Sequence, residues 1–470
     1  MARLSRRLFV AGGAALAAAP AFARAPTRPG AIVNPLVRQR ADAQVFRHTD
    51  GWYYLTGSVP EYDRLVLRRA RTIAGLSTAR ERVLWRHEAK GPLSGFIWAP
   101  ELHLIDGRWI MYFAAGPSGG GEDVFRIRTH AVVCDGADPM TGNWSVLGQL
   151  QTPWDSFNLD STSFVHRGQR YLAWAQREPG IETNSNLYLA PLATPLTLAA
   201  TPARLTIPTL PWEIRGFKVA EAPAVLARHG RLFMTYSASA TDARYCLGLL
   251  TADENADLLD AASWTKSPQP VFTSCAQTSV YGPGHNSFTV DEKGRDILVY
   301  HGRDYEAIKG DPLFNPDRHT RVQRLYYSAD GMPDFGVPVG NGPMPERFAS
   351  AQDAKLLLAH DGNRLVAGNP TLPQTQFRQI AGRAGAKSVM LSPILMPGHY
   401  LVAKKDGSVA LEPDSKSQDF ALQSQFVRFE DEDRGTRFVA ISAPGKALGI
   451  AAGQVRLVPS RKPGAYWRAD

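Results

Sequence analysis

Three observations predict an all-β chain in two parts, a five-bladed β-propeller followed by a β-trefoil. The first is composition: 41 Gly, 34 Pro and 10% aromatic residues in 470 favour short strands joined by turns over long helices. The second is a unit that recurs five times, each copy a polar residue, a short apolar strand, a glycine turn and an alternating aromatic strand. The third is a change of period past residue 344, where a shorter unit recurs three times. At this length, with 44% hydrophobic residues, two or three domains of ordinary size are expected.

The five copies run in order. RADAQVFRHTDGWYYLTGS carries Asp42 and Gly51, and APELHLIDGRWIMYFAA carries Glu101 and Gly107. NLDSTSFVHRGQRYLAWAQ carries Asp160 and Gly168, and VAEAPAVLARHGRLFMTYSAS carries Glu221 and Gly230. GPGHNSFTVDEKGRDILVYHG carries His285 and Gly294. The turn glycines are 56, 61, 62 and 64 residues apart, and the polar residues precede them by 9, 6, 8, 9 and 9. Antiparallel units of this kind cannot bury both faces alone. Packed radially they bury each other, which is a propeller spanning 31–344. A two-sheet sandwich is the competing architecture, but its turns fall closer together.

In a propeller the first strand of each blade lines the channel, so Asp42, Glu101, Asp160, Glu221 and His285 are expected to converge. A lone acid before a strand is ordinarily a turn residue, and a lone histidine is as often a core residue as a ligand. Several carboxylates in one pocket are different, because their mutual repulsion costs stability unless it serves a site.

At these residues the chain resembles glycoside hydrolase family 43, over roughly 31–340. The resemblance implies that Asp42 is the general base, that Asp160 tunes the pKa of the proton donor, and that Glu221 is the general acid. IWAPELH and GPGHNSF resemble two further family motifs, around Trp98–Glu101 and His285, and YHGRD is similar to a segment that places an arginine, here Arg303, near the sugar. Ala43 stands where family members often have proline, which removes no chemical group. Inverting hydrolysis needs one carboxylate to activate water and one protonated acid for the leaving oxygen. Asp42 and Glu221, on different blades, suit that gap, and Asp160 is expected to keep Glu221 protonated by like-charge repulsion. Phe96 and Trp98 are the best candidates for a platform under the apolar face of a sugar; Trp154 and Trp52 are weaker. The substrate-binding set is therefore Phe96, Trp98, Glu101, His285 and Arg303. The resemblance also allows a structural or orienting calcium in the axial channel, held by waters near His285, although the chain has no Asp-rich calcium loop.

The implied activity is release of α-L-arabinofuranosyl residues from hemicellulose or pectin side chains, with an arabinose- or xylose-containing glycan as partner. A β-xylosidase is the enzymatic alternative, and a non-catalytic glycan-binding propeller is the alternative of another class. SGGGED, from Ser118 to Asp123, lacks the Lys-Ser/Thr of a phosphate loop and reads as a rim loop.

GVPVGNGPMPERF, at 336–348, is a Pro/Gly-rich join between the two parts. Beyond it, Gly362, Gly407 and Gly453 are 45 and 46 residues apart, and the three units close on Phe377, Phe426 and Trp467. This pattern predicts a β-trefoil over 345–470. The stretch MPGHYLVAKKDG resembles the arabinose-binding domain attached to some arabinofuranosidases, which implies a carbohydrate-binding role.

Residues 1–25 read as an export signal, with a basic start, an alanine-rich apolar run and small residues at Ala21 and Ala23. Ser5-Arg6-Arg7-Leu8-Phe9 resembles the twin-arginine motif, implying a folded protein exported to the periplasm or medium of a bacterium. Losing Arg3, Arg6 and Arg7 with residues 1–23 takes the net charge from +9 to 9 − 3 = +6, and the remaining excess is scattered. No basic stripe marks a nucleic-acid partner, and no second apolar run marks a membrane anchor. Three cysteines permit at most one internal disulfide and show no zinc spacing.

Overall fold

The computed structural model describes residues 30–119, 123–385 and 387–469. The expected export signal at 1–25, and 120–122 of the expected rim loop, lie outside the described residues. Five antiparallel sheets follow one another along the chain, with inner strands Ala41–Arg47, Ile97–Ile105, Asn158–His166, Ala220–Arg228 and Tyr281–Val290. Each inner strand pairs with the next strand in sequence through a glycine turn, and all five turn glycines have positive φ. These are the blades of a five-bladed β-propeller.

Side-chain alternation along a strand explains why the blades need one another. On Asp296–Arg303, Ile297 and Val299 pack with Val45 and Leu55 of blade one, while Leu298 and Tyr300 pack with Phe233 and Leu249 of blade four. On Arg108–Ala115, Met111 and Phe113 face blade one, and Ile110 and Tyr112 face Leu172 and Trp174 of blade three. Blades three and four meet through Leu187, Leu189, Met234 and Leu250. Every blade interface is thus an apolar core of its own.

Blade five has three strands, ending with His319–Arg324. Its open edge is covered from the other end of the chain. Val37 bridges Thr320, and the Asn34 carboxamide pairs with Val322 as a strand would, donating to its carbonyl and accepting its amide at 2.8 Å each. The ring is closed by residues almost 290 positions apart in sequence.

Past the join, twelve short strands fall into three groups of four. Six of them, Phe348–Ser350, Trp467–Ala469, Gly435–Ala440, Phe426–Asp431, Ser388–Pro393 and Phe377–Ala381, pair in that order. A bridge between Glu346 and Phe377 returns to the start. The other six form three hairpins, with Gly362, Gly407 and Gly453 in or beside their turns. Phe348, Phe377, Phe426 and Trp467 share one fully buried core. This region is fastened to the propeller by Arg378, whose guanidinium donates to the carbonyls of Gly340 and Asn341.

Candidate active site

One backbone irregularity builds the site. In every blade the register between the first two strands slips near the start of the inner strand, between Ala41 and Gln44, Trp98 and Glu101, Leu159 and Thr162, Glu221 and Ala224, and within Tyr281–Ser287. At each slip a non-glycine residue adopts positive φ: Asp42 (53°), Ala99 (45°), Asp160 (55°), Ala222 (54°) and His285 (41°). Such bulges re-aim side chains and leave an amide outside the ladder. Four of these amides are taken up by side chains of a neighbouring blade: Asp42 by His301 Nδ1 (3.2 Å), Ala99 by Ser58 Oγ (2.8 Å), Ala222 by Asp160 Oδ2 (3.1 Å) and His285 by Ser237 Oγ (2.8 Å). Five strained positions therefore hold Asp42, Asp160 and His285 around one axis, with Glu221 one residue before the fourth.

Asp42 is buried and heavily supported. Its Oδ2 accepts from Ser58 at 2.6 Å, and its Oδ1 lies 3.3 Å from Arg318 Nη1, 3.3 Å from His301 Nδ1 and 3.4 Å from His285 Nδ1. Burial works against its charge, but the Arg318 guanidinium and the two imidazoles outweigh it and hold the carboxyl well below the usual carboxylate range. Burial keeps both imidazoles neutral near pH 7, pulling His301 down to about 4. Asp42 is ionised at any working pH.

Glu221 and Asp160 are in the opposite condition. Burial first, then the charge of Asp42, pushes Glu221 up to about 7, against the pull of a 2.7 Å hydrogen bond from the Tyr245 hydroxyl. Asp160 is raised well above its ordinary value by burial and by repulsion from Glu221 and Asp42. Repulsion between the two carboxyls favours keeping a proton on the pair near neutrality. Glu221 is the more exposed partner, so its proton is the one a ligand can reach. Asp160→Asn removes a like charge from beside Glu221, so the alkaline limb of the rate profile, set by the acid, should move to lower pH. An alkaline limb that stayed put or rose would contradict a pKa-tuning role for Asp160.

Phe96 and Trp98 stack on each other at 5.3 Å and 12°, and Tyr62 meets both edge-on. The Trp98 indole N–H is buried and has no partner among the described residues. An aromatic wall with a spare donor suits a sugar ring with hydroxyls at its edge. Trp52 lies instead under Arg69 and Arg71, and Trp154 packs on Tyr188.

Two expected residues are spent on other partners. Glu101 lies two residues past its bulge, hydrogen-bonded to His103 Nε2 at 3.0 Å and Gln44 Nε2 at 3.4 Å, and it lines a cavity of about 370 Å3 deeper in the channel. Its place in the ring is held by Ala99. Arg303 spends its guanidinium on Asn315 Oδ1 and the carbonyls of Thr241 and Pro312, clamping loops of blades four and five together. The arginine on Asp42 is Arg318, just before the last strand of blade five. The sequence reading missed Arg318, Ser58, His301 and Tyr245. Ser58, Ser237 and His301 share one signal, a polar residue at or near the end of an otherwise apolar second strand.

Calcium takes six to eight oxygen ligands. Around His285 the oxygens of Asp42 and Asp160 are committed to Arg318, Ser58 and the Ala222 amide. No cluster of three or more His, Cys, Asp or Glu arranged for a metal occurs among the described residues. These side chains do not fit direct calcium ligation, so a calcium near His285 would be held through waters.

An ionised carboxylate and a protonated one around the axis of a propeller are the two groups that acid–base hydrolysis of a glycosidic bond requires. The chain belongs to glycosyl hydrolases family 43, whose profile matches residues 32–333. It is 51% identical over 399 residues to an extracellular exo-alpha-(1->5)-L-arabinofuranosidase of Streptomyces avermitilis, covering 83% of this chain and 82% of the relative. It is 47% identical to alpha-L-arabinofuranosidase 43 of Humicola insolens, covering 97% and 94%. Among solved structures, an alpha-L-arabinofuranosidase from Lactobacillus brevis superposes with a TM-score of 0.65 at 50% identity, covering 66% of this chain and 98% of that one.

Proposed function

We propose that the chain is an exported, inverting α-L-arabinofuranosidase acting on arabinose-bearing side chains of plant polysaccharide. The observation that carries this reading is the pair of carboxyls held in opposite protonation states, Asp42 by Arg318 and Glu221 by burial. Asp42 takes a proton from water as the water oxygen attacks the anomeric carbon. Glu221 gives its proton to the leaving oxygen as the old bond breaks. Solvent then reprotonates Glu221 and takes the proton from Asp42. The similarity to arabinofuranosidases along most of the chain supports arabinofuranose over xylopyranose as the sugar.

Hydrolysis of nitrophenyl α-L-arabinofuranoside against nitrophenyl β-xyloside tests the sugar. Proton NMR of the first product tests the stereochemistry: the anomer should be inverted, because water arrives opposite the leaving group. A retained anomer would require a covalent intermediate and would remove Asp42 from the base role. A faster xylosidase would shift the substrate, and no turnover of either glycoside would favour a glycan-binding propeller.

For residues 345–470 we propose a β-trefoil that holds arabinose-bearing polymer. Three groups of four strands and three hairpins support the fold. Binding there should raise the local concentration of cleavable bonds. Removing residues 345–470 should then lower the ratio of polymer to small-glycoside activity. Without Arg378 the carbonyls of Gly340 and Asn341 also lose their donor, so a lower melting temperature is expected in either case. An unchanged ratio would retire the binding role.

A further inference from the structure

Among the described residues Glu221 accepts one hydrogen bond, and its donor is buried and packed from behind. The His285 amide, freed by the fifth bulge, donates to Ser237 Oγ at 2.8 Å. The Ser237 hydroxyl and the Tyr245 ring both crowd Gly284, and Ser237 favours the ionised phenol. Tyr245 Oη donates to Glu221 Oε1 at 2.7 Å. Ser237 and Tyr245 are both buried, at 0% and 2% exposure. We propose that the Tyr245 hydroxyl, with Ser237 beside it, is a positioning device that sets which oxygen of Glu221 carries the catalytic proton. It rests on Glu221 being the general acid.

The direction of the bond decides its effect. The Ser237 oxygen is occupied by a backbone amide. The Tyr245 hydroxyl donates to Glu221 Oε1. Burial and the nearby carboxyls of Glu221 and Asp160 push the Tyr245 phenol well above its usual value, so it stays a donor throughout the working range. With a donor already on Oε1, a proton on Glu221 is favoured on Oε2.

The fold makes room for the device at a cost. The Tyr245 ring lies parallel to His301, at 5.7 Å and 4°. It also lies flat on Gly284, where a Cβ would come within 2.3 Å of the ring. Gly284 of the GPGHNSF motif is therefore glycine because Tyr245 passes over it. His301 touches Asp42 on its other side, so one stack spaces the base from the acid. The charged or titratable groups facing the Glu221–Tyr245 pair are Asp42, Asp160, Arg318, His285 and His301. None of them replaces the Tyr245 hydrogen bond.

Tyr245→Phe keeps the ring, its stack and its fit to Gly284, and removes one oxygen. The hydroxyl favours ionised Glu221, so its loss should raise the alkaline limb of kcat/KM by about half to one pH unit. With the proton free to occupy either oxygen, activity on methyl arabinofuranoside should fall about tenfold relative to the dinitrophenyl glycoside, whose leaving group needs no proton. Ser237→Ala should move both readouts in the same direction by less, and decides the matter if the Phe variant does not fold. A limb and substrate ratio that stay put in the folded variants overturn the proposal. So does an equal loss on both substrates with an unmoved limb, which would mean a merely structural hydroxyl. Glu221→Gln run alongside separates the levels. If it too loses equally on both substrates, the acid is elsewhere and the device falls with it. If it spares the dinitrophenyl glycoside while the Phe variant shows nothing, only the device falls.

Discussion

Asp42→Asn is expected to abolish turnover of every glycoside, whatever its leaving group. The amide is the same shape and its oxygen still accepts from Arg318, with the Ser58 hydroxyl turned to accept from its NH2, but it cannot take the proton of the attacking water. Glu221→Gln should behave differently. Ordinary glycosides should slow by about 100- to 10,000-fold, the usual worth of a positioned acid. A dinitrophenyl arabinofuranoside should be largely spared, since its leaving oxygen departs as an anion. The wild-type profile should match: active while Asp42 is ionised and Glu221 protonated, falling as pH rises through about 7, with the acidic limb below the ordinary carboxylate range. Comparing kcat/KM for both variants on both substrate types is the check. Equal losses on the two substrates would mean that the roles are assigned to the wrong carboxyls.

The propeller was legible because it is periodic. Glycine turns near sixty residues apart, each followed by an alternating strand, admit few architectures, and the side chains on alternate faces do pack on successive neighbours. What the periodicity hid was the bulge. Counting back from the turn glycine assigned Glu101 to the ring at six residues, when the other copies stood at eight or nine. The residue at eight is Ala99, which has the positive φ and the captured amide. The short count marks the exception. An alanine carries no chemical signal, whereas the acid two residues on does. Arg303 is ambiguous in sequence for a related reason. Arg318 and Arg303 come close through folding of the loop between them, and only contacts tell which guanidinium faces Asp42. Ser58 acts within its own blade, 16 positions from Asp42, but His301 acts on a residue 259 positions away. No local pattern encodes that second pairing, which crosses the closure of the ring.

Arg318→Met is expected to move the acidic limb of the profile upward by about one to three pH units, the usual effect of removing a neighbouring opposite charge. Arg318 Nη1 is the one full cation on Asp42 among the described residues, because burial leaves His285 and His301 neutral near pH 7. Without it only the two imidazoles and Ser58 oppose the burial of Asp42, and its carboxyl rises. The plateau between the two limbs should narrow, and the maximum rate should fall with it, since fewer molecules hold base ionised and acid protonated together. A second loss should appear in KM. Arg318 Nη2 donates to the Tyr62 hydroxyl at 2.7 Å, and Tyr62 donates to the Leu313 carbonyl at 2.6 Å, while its ring braces Phe96 and Trp98. Cutting that link frees the aromatic wall as well as the base. Arg318→Lys separates the two effects. An ammonium restores a charge beside Asp42 but lacks the planar fork that reaches Asp42 and Tyr62 together. The lysine variant should therefore recover most of the acidic limb and little of KM. Melting curves for both variants guard against reading unfolding as catalysis, because stripping one partner from a buried ion pair costs about 3–5 kcal/mol. A folded Met variant with the acidic limb of the wild type would show that Arg318 does not set the charge of Asp42, and that the two histidines and Ser58 hold it unaided.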